Sequence, residues 1–488
     1  MAAAFSLSDG LHRALAPRSI ALVGASNNVA SLGGWVFANL ARAFDGPLYP
    51  VHPRDAQVQG RDAYTSVTEL PEVVDLVVVL VPAPLVPDVI DECAAKGVGG
   101  VTVITAGFAE VGPDGAALQE RLAATAAGTG LRIIGPNCIG FMNLFGGVMA
   151  NFALPPTEPL PAAGPVALVS QSGGFGSYIA TKALLAGLRL GWFVSTGNEC
   201  DVNIATVLRY LVEREEPRVL MAFSETLRDP EVFIEAARRA VELDKPLVLL
   251  KAGRSEAAAR AAVSHTASIV GSAQVFDAVA RQYGVFVVST MEEMLDLGMI
   301  FQDGRRVRDR RVGVMTTSGG AGVLLADACT AAGLSVPELP ANEQQALRSV
   351  MPEPFYGSTT NPVDTTAQIV GSPDVYHNVL FSLGGSDAVD MMTAVTWAAP
   401  GPATDALIAY YQASDKPLAL TSTAWLDEFQ HAGVPTYTDP QRAANALGAV
   451  ARQSLERRVS TAVWEQDPAR AEAISKLLAE AGGRRALL

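Results

Sequence analysis

The segments PVALVSQSGGFGSYIATKALLAGL (165–188) and RVGVMTTSGGAGVLLADACTAAGL (311–334) align without a gap at an offset of 146 residues. Each reads as an apolar strand, a Ser-Gly-Gly-x-Gly turn, an Ala-rich helix and a closing Ala-Gly-Leu, so the chain carries two consecutive copies of one fold. Later landmarks keep the same order: Asn198-x-x-Asp201 against Asn361-x-x-Asp364, KPLVLL (245–250) against KPLALT (416–421), and GVFVV (284–288) against GVPTY (433–437). One stretch is not repeated. Between KPLVLL and GVFVV the first copy holds about thirty residues that include SHTAS, and the second copy crosses the same interval in roughly half that length. His265, one of only five histidines, therefore sits in a loop peculiar to one copy, where function tends to lie.

Short Val/Ile/Leu runs alternate with Ala-rich helical stretches along nearly the whole chain, the pattern of parallel sheets covered by helices. Ahead of the repeat, strands are expected at 19–23, 47–51, 75–80, 100–104 and 131–134, with the Pro-rich ALPPTEPLPAAGP (153–165) as a linker. The most apolar run, VVDLVVVLVPAPLVPDVI (73–90), is broken by Asp75 and three prolines, which fits a buried parallel strand better than a membrane span. A net charge of −14, with no basic stretch beyond GRRVRDRR (304–311), excludes a nucleic-acid role. Four scattered cysteines without metal spacing read as reduced thiols of a cytoplasmic protein, and no metal site is expected.

A strand that runs into a Gly/Ser turn opening a helix leaves unpaired N–H groups at the positive end of a helix dipole, and such ends attract phosphate. Three are present: ALVGAS (21–26), SQSGGFG (170–176) and TSGGAG (317–322). A single turn of this kind needs glycine for geometry alone; two in register across a duplicated domain, with a solitary histidine, point to phosphate chemistry. In the first unit the turn is not a full G-x-G-x-x-G, and LYPVHPRD (48–55) places His52, Pro53 and Arg54 where an NAD site keeps an acid. A basic end suits a phosphorylated ribose, so coenzyme A competes well with NADP and better than NAD.

Together IALVGAS (20–26), YPVHPR (49–54), VPA (81–83), TAGFAEVG (105–112), IIGPNCIGFMN (133–143), VALVSQSGG (166–174), STGNECDV (195–202), LLKAGRSEAAARAAVSHTAS (249–268) and TSGGAG resemble the nucleoside-diphosphate-forming acyl-CoA synthetases, which include succinyl-CoA synthetase. The resemblance implies an α/β chain with a Rossmann-like CoA-binding domain (1–152) and two flavodoxin-like doubly wound domains (160–303 and 309–456), then a helical tail or lead-in (457–488). It implies that His265 is transiently phosphorylated, with Glu225 of MAFSETLRD as its carboxylate partner. Neutral imidazole is nucleophilic, and a carboxylate on its other nitrogen fixes the tautomer. Phosphate would be held by Ser170, Ser172, Gly173 and Gly174 at one helix start and by Ser318, Gly319 and Gly320 at the other. Coenzyme A, as substrate, would be held by Gly24, Ala25, Ser26, Ser31, Arg54, Val81, Pro82, Thr105, Ala106 and Asn137. Family members often carry a basic residue where Ser31 stands, which shifts CoA phosphate contacts towards backbone N–H groups and Arg54.

The acyl pocket is implied around Gly173–Tyr178, where Phe175 and Tyr178 suggest an apolar contact. ATP, ADP and Mg2+ would be bound only by an ATP-grasp domain, which no stretch supplies: either a separate β subunit brings it or the chain continues past Leu488, since AEAISKLLAEAGGRRALL (471–488) resembles a lead-in to such a domain. Partners are thus a small carboxylic acid, CoA and an ATP-grasp partner, with a homodimer left open. A CoA-binding or acyl-CoA-sensing module without turnover is the alternative reading.

Overall fold

A computed structural model describes residues 2–255, 273–369, 371–396, 402–423 and 426–456. His265 and the expected tail over 457–488 lie outside the described residues. The chain forms two compact units, one containing residues up to Leu184 and Arg189–Ser289, the other containing Leu185–Leu188 and residues 290–456.

The first sheet joins β1 (Ile20–Val23), β2 (Leu48–Val51), β5 (Leu76–Val79), β6 (Gly100–Val103) and β7 (Arg132–Ile134), all parallel, in the order β2-β1-β5-β6-β7; β3 (Gln57–Val58) and β4 (Arg61–Asp62) form a separate small hairpin. The second sheet joins β8 (Gly140–Asn143), β9 (Val148–Asn151), β10 (Val166–Ser170), β11 (Leu190–Ser195), β12 (Val219–Ser224), β13 (Leu247–Lys251) and β14 (Phe286–Val288), in the order β14-β13-β12-β10-β11-β8-β9. The second unit holds β15 (Val312–Thr316), β16 (Val363–Asp364), β17 (Met391–Val395), β18 (Leu418–Thr421) and β19 (Thr436–Tyr437), ordered β16-β15-β17-β18-β19. All three parallel cores read 2-1-3-4-5, the flavodoxin order, so the duplicated sequence corresponds to duplicated topology and the first, Rossmann-like domain shares that order. Strands β1, β5, β6 and β10 are buried along their whole length, as sheets covered on both faces require. Asp75, the charge inside the apolar run, is buried but satisfied by Arg13 Nε at 2.7 Å and the Arg18 N–H at 3.0 Å.

Two elements at the expected domain boundaries make contacts beyond their own sheet. Residues 140–151, at the end of the expected first domain, hold β8 and β9, an antiparallel hairpin that adds to β11 through Trp192↔Asn143, Phe193↔Met142 and Val194↔Phe141. The first and second sheets consequently share one buried cluster that includes Leu22, Phe37, Phe141, Val169 and Trp192. The helix Met291–Phe301, at the expected end of the second domain, makes its contacts in the second compact unit, where Arg442 grips Asp296 with Nε at 2.8 Å and Nη2 at 2.7 Å.

One landmark also moves. Ser170 pairs with Ser195 in the second sheet and Thr316 with Asp364 in the third, so Asp364 occupies the place of Ser195; Asn198-x-x-Asp201 follows its strand and Asn361-x-x-Asp364 leads into its own. The other landmarks coincide. Lys245 and Lys416 each donate Nζ to a backbone carbonyl, of Val212 at 2.9 Å and Ser386 at 2.7 Å.

Candidate functional site

A cleft of about 750 Å³ opens where the carboxyl ends of the first and second sheets meet. Ligands of open α/β sheets bind there. Its walls come from the loops after β5 (Leu80, Val81, Pro82), β6 (Ile104, Thr105, Ala106), β7 (Asn137, Cys138, Ile139), β10 (Gln171 to Gly174), β11 (Gly197, Asn198) and β12 (Glu225, Arg228). Five of the expected CoA residues, Val81, Pro82, Thr105, Ala106 and Asn137, thus share one cavity with Ser172, Gly173, Gly174 and Glu225.

Local hydrogen bonds fix these loops. Thr105 Oγ1 donates to Val81 O at 2.8 Å and the Asn137 N–H donates to Thr105 O at 2.9 Å. Glu110 accepts from the N–H groups of Gly107 at 2.6 Å and Phe108 at 3.2 Å, and from Asn198 Nδ2 at 2.6 Å, while Asn137 Nδ2 donates to Asn198 Oδ1 at 3.1 Å. This ties the TAGFAEVG loop to the TGNECD loop. Burial would raise the Glu110 carboxyl, but its hydrogen bonds from Gly107, Asn198 and Phe108 outweigh that and hold it below the ordinary carboxylate value.

Glu225 is half-buried at the end of β12. Its N–H donates to Gln171 Oε1 at 2.8 Å and its carbonyl accepts from Lys251 Nζ at 2.5 Å. Gln171 in turn donates Nε2 to Glu199 Oε2 at 2.9 Å and to Thr226 Oγ1 at 3.1 Å. Glu199 is buried, which pushes its carboxyl upward against the hydrogen bonds of Thr196, Ile204 and Gln171. Burial pushes the Lys251 ammonium down to about 8 and the Cys138 thiol up to about 12; the Cys200 thiol is likewise raised, so neither cysteine is a thiolate nucleophile.

The helix Gly173–Leu185 starts directly at the cleft. Ser170 does not face it: its buried hydroxyl donates to Ser172 O at 2.7 Å, bracing the turn, and Thr316 Oγ1 does the same to Ser318 O at 2.8 Å in the second unit. Added methyls at Gly176 and Gly322 would meet Ser170 Oγ at 2.5 Å and Thr316 Cγ2 at 2.7 Å, so these glycines serve close helix–strand packing. Gly174 and Gly320 have open space instead. The two turns differ in charge: an added methyl at Gly319 would lie 2.9 Å from Asp364 Oδ2, an acid for which the first turn has the uncharged Ser195.

Several expected CoA residues lie outside the cleft lining. Gly24 has φ +92 and Ala25 is buried, both serving the β1 turn, and Ser26 Oγ accepts from the Asn28 N–H at 3.1 Å. Ser31 caps the helix Leu32–Ala43, accepting from the Gly34 N–H at 3.2 Å and donating to Asn28 O at 2.7 Å. Arg54 is exposed at the end of β2. Phe175 packs edge-on against Phe223, with ring centroids 4.7 Å apart, and neither it nor Tyr178 lines the cavity; its apolar wall is Leu32, Ile104, Ile139 and Phe152. Gln171, Glu199, Glu110, Asn198 and Arg228 carry the local network, and the sequence reading assigned none of them a role.

A CoA-type nucleotide fold joined to a flavodoxin-type sheet around one cleft, followed by a second flavodoxin-type unit, defines an acid–thiol ligase, and the chain belongs to the ADP-forming acyl-CoA synthetase family. Residues 18–143 match the CoA binding domain, 163–301 the succinyl-CoA ligase like flavodoxin domain and 312–396 the ligase-CoA domain. The chain is 37% identical over 452 residues to the acetate–CoA ligase [ADP-forming] II subunit alpha of Pyrococcus furiosus, covering 90% of this chain and 96% of that one. It is 32% identical to the acetate–CoA ligase [ADP-forming] I of Archaeoglobus fulgidus, covering 97% of this chain and 69% of that protein. Among solved structures it is similar to acetyl-coenzyme A synthetase 1 of Candidatus Korarchaeum cryptofilum in complex with phosphate and ADP, with a TM-score of 0.85, 28% identity, and coverage of 92% of this chain and 98% of that one. No helix among the described residues is long and apolar enough to cross a membrane.

Proposed function

We propose that this chain is the CoA-binding and phosphohistidine portion of an ADP-forming acyl-CoA synthetase. An acyl-CoA enters along the loops after β5, β6 and β7, with phosphate at the Ser172–Gly174 helix start. A phosphate oxygen bonds to the thioester carbon, the C–S bond breaks and the CoA sulfur leaves with a proton, giving acyl phosphate. Neutral His265 then takes the phosphoryl group, the P–O bond to the acyl oxygen breaks, and the carboxylic acid departs. Glu225 holds the other ring nitrogen's proton and stabilises the charge that develops there. The phosphoryl group passes on to ADP, with Mg2+, on an ATP-grasp domain or β subunit, and the sequence of steps runs in either direction. The helix start at Ser318, Gly319 and Gly320 is the second such end available to a phosphoryl group. Relatives named as CoA ligases favour turnover over the sensing alternative.

The observation that carries this reading is the single cleft in which Val81, Thr105 and Asn137 meet Ser172, Gly174 and Glu225. Its test is incubation of the chain with radiolabelled phosphate and a panel of short, branched and aryl acyl-CoA thioesters. Uptake of label that is acid-labile and alkali-stable is expected. CoA binding with no label from any thioester, even with an ATP-grasp subunit added, overturns it.

The Glu110 tie gives a second expectation. Glu110→Gln removes the anionic acceptor of two loop N–H groups, and CoA affinity measured by calorimetry should fall roughly 10-fold. Because its folded pKa is depressed, this tie is complete above the ordinary carboxylate pKa and is lost only as pH falls through the lower folded value. CoA affinity should therefore show no Glu110-linked change from about pH 5 to 8; an affinity unchanged in the variant contradicts the tie.

A further inference from the structure

Among the described residues, the cleft's walls carry two carboxylates, Glu110 and Glu225, and a single cationic side chain, Arg228. Every intermediate of the proposed reaction that passes through it is an anion: phosphate, acyl phosphate and the released carboxylate. A helix start offers only about half an elementary charge to such groups. Partial dipoles and two acids leave a dianion uncompensated unless a full cation faces it.

Arg228 stands three residues after Glu225 on the same loop. Its Nε lies 3.4 Å from Glu199 Oε2, and its side chain keeps 44% of its exposure while that of Glu199 keeps none. Glu199 is already satisfied without it: Oε1 accepts from Thr196 Oγ1 at 2.8 Å and the Ile204 N–H at 2.9 Å, and Oε2 from Gln171 Nε2 at 2.9 Å. An arginine that neutralises a buried acid frequently forms a two-pronged, hydrogen-bonded pair. Here the contact given is Nε to Oε2 at 3.4 Å, an ion pair and not a hydrogen bond, from a guanidinium that also lines the cleft. The pair has the form of a tether that orients a guanidinium for another anion.

Resting on the reading above, we infer that Arg228 binds the phosphate and acyl-phosphate oxygens in the cleft through its Nη groups, and that Glu199 is the positioning residue that holds its Nε edge. The inference extends to specificity: Arg228 follows Glu225 on the loop after β12 and shares the cleft with the Ser172–Gly174 helix start, so it acts on the phosphate side of the reaction and not on CoA.

The phosphate-labelling reaction tests it. In Arg228→Ala the KM for phosphate should rise about 10- to 100-fold, the range for loss of a charge-assisted hydrogen-bonded pair, with the calorimetric Kd for CoA within about twofold of the parent. Arg228→Lys should recover part of the loss, since a point charge replaces the fork. Glu199→Gln, which keeps the shape but drops the charge and turns one of the two accepting oxygens into an N–H donor, should raise the phosphate KM by roughly 3- to 10-fold, again without change in CoA affinity. A parent chain that labels together with an Arg228→Ala chain whose phosphate KM is unchanged overturns this inference alone. Phosphate and CoA parameters that weaken together also overturn it. A parent chain that takes up no label overturns the functional reading and this inference with it.

Discussion

A His265→Asn chain is expected to bind CoA like the parent and to take up no phosphate, a loss of at least about 1,000-fold in labelling rate, as befits removal of a covalent nucleophile. Asparagine retains a polar amide but has no lone pair basic enough to attack phosphorus. The pH profile of the parent carries independent information. Only the neutral ring attacks, so labelling should fall as pH drops through the histidine pKa, about 6.5 when unperturbed. A carboxylate beside the ring favours the charged form and moves that midpoint upward, and Glu225→Gln should therefore bring it back down as well as slowing the reaction. The Gln171 and Lys251 bonds to the Glu225 backbone hold the loop whether or not the side chain is charged, so the variant keeps the loop in place. Label at undiminished rate in His265→Asn would place the phosphoryl carrier elsewhere; an unmoved midpoint in Glu225→Gln would remove Glu225 from that partnership.

The parallel strands were readable because most are short, predominantly apolar runs, the composition that a strand buried on both faces favours. Strands expected at 47–51 and 131–134 are found at Leu48–Val51 and Arg132–Ile134. The hairpin at 140–151 was not readable as part of the second sheet, because its partner β11 begins some forty residues further on and an antiparallel edge leaves no local mark of where it attaches. The helix Met291–Phe301 shows the same limit: its contact between Asp296 and Arg442 joins residues 146 positions apart, which no local pattern marks.

Site residues divide along similar lines. Motifs such as SQSGG, TGNECD and TAGFAEVG mark loops at the cleft, but a string of letters does not say which side chain faces the cavity. Ser170 follows a strand and precedes two glycines, as a phosphate ligand would, yet its hydroxyl is consumed by the carbonyl of Ser172. The repeat held a clue, since Thr316 at the equivalent position preserves a hydroxyl with the same internal partner. Ser31 also reads, locally, as an N-cap before the apolar run of its helix, and its bond with Gly34 has that form. Glu199 and Arg228 were out of reach, because their pairing depends on loops after different strands, and neither residue type at either place is unusual on its own.

The glycines of the first turn allow phosphate binding and packing to be separated by two single methyl groups. At Gly176 a Cβ would sit 2.5 Å from both Ser170 Cβ and Ser170 Oγ, within the buried contact between the helix Gly173–Leu185 and β10. Gly176→Ala must push the helix off its strand, with an expected cost of about 1–3 kcal/mol and a matching fall in Tm. At Gly174 nothing lies within 4 Å of an added Cβ, and the residue lines the cleft. Alanine is the better helix former, by up to about 1 kcal/mol, so Gly174→Ala should leave Tm unchanged or slightly raised. The fold thus has no use for glycine at this position. Its value lies in letting an anion approach the N–H groups of the first turn, and a methyl there holds the phosphate away from them. Labelling should fall about 10- to 100-fold in Gly174→Ala, with the loss in phosphate KM and the CoA Kd preserved. Opposite signs in stability and activity for two alanines two residues apart would be hard to obtain from any role other than phosphate binding at this helix start. A Gly174→Ala chain that labels like the parent would show that the phosphoryl group never rests there.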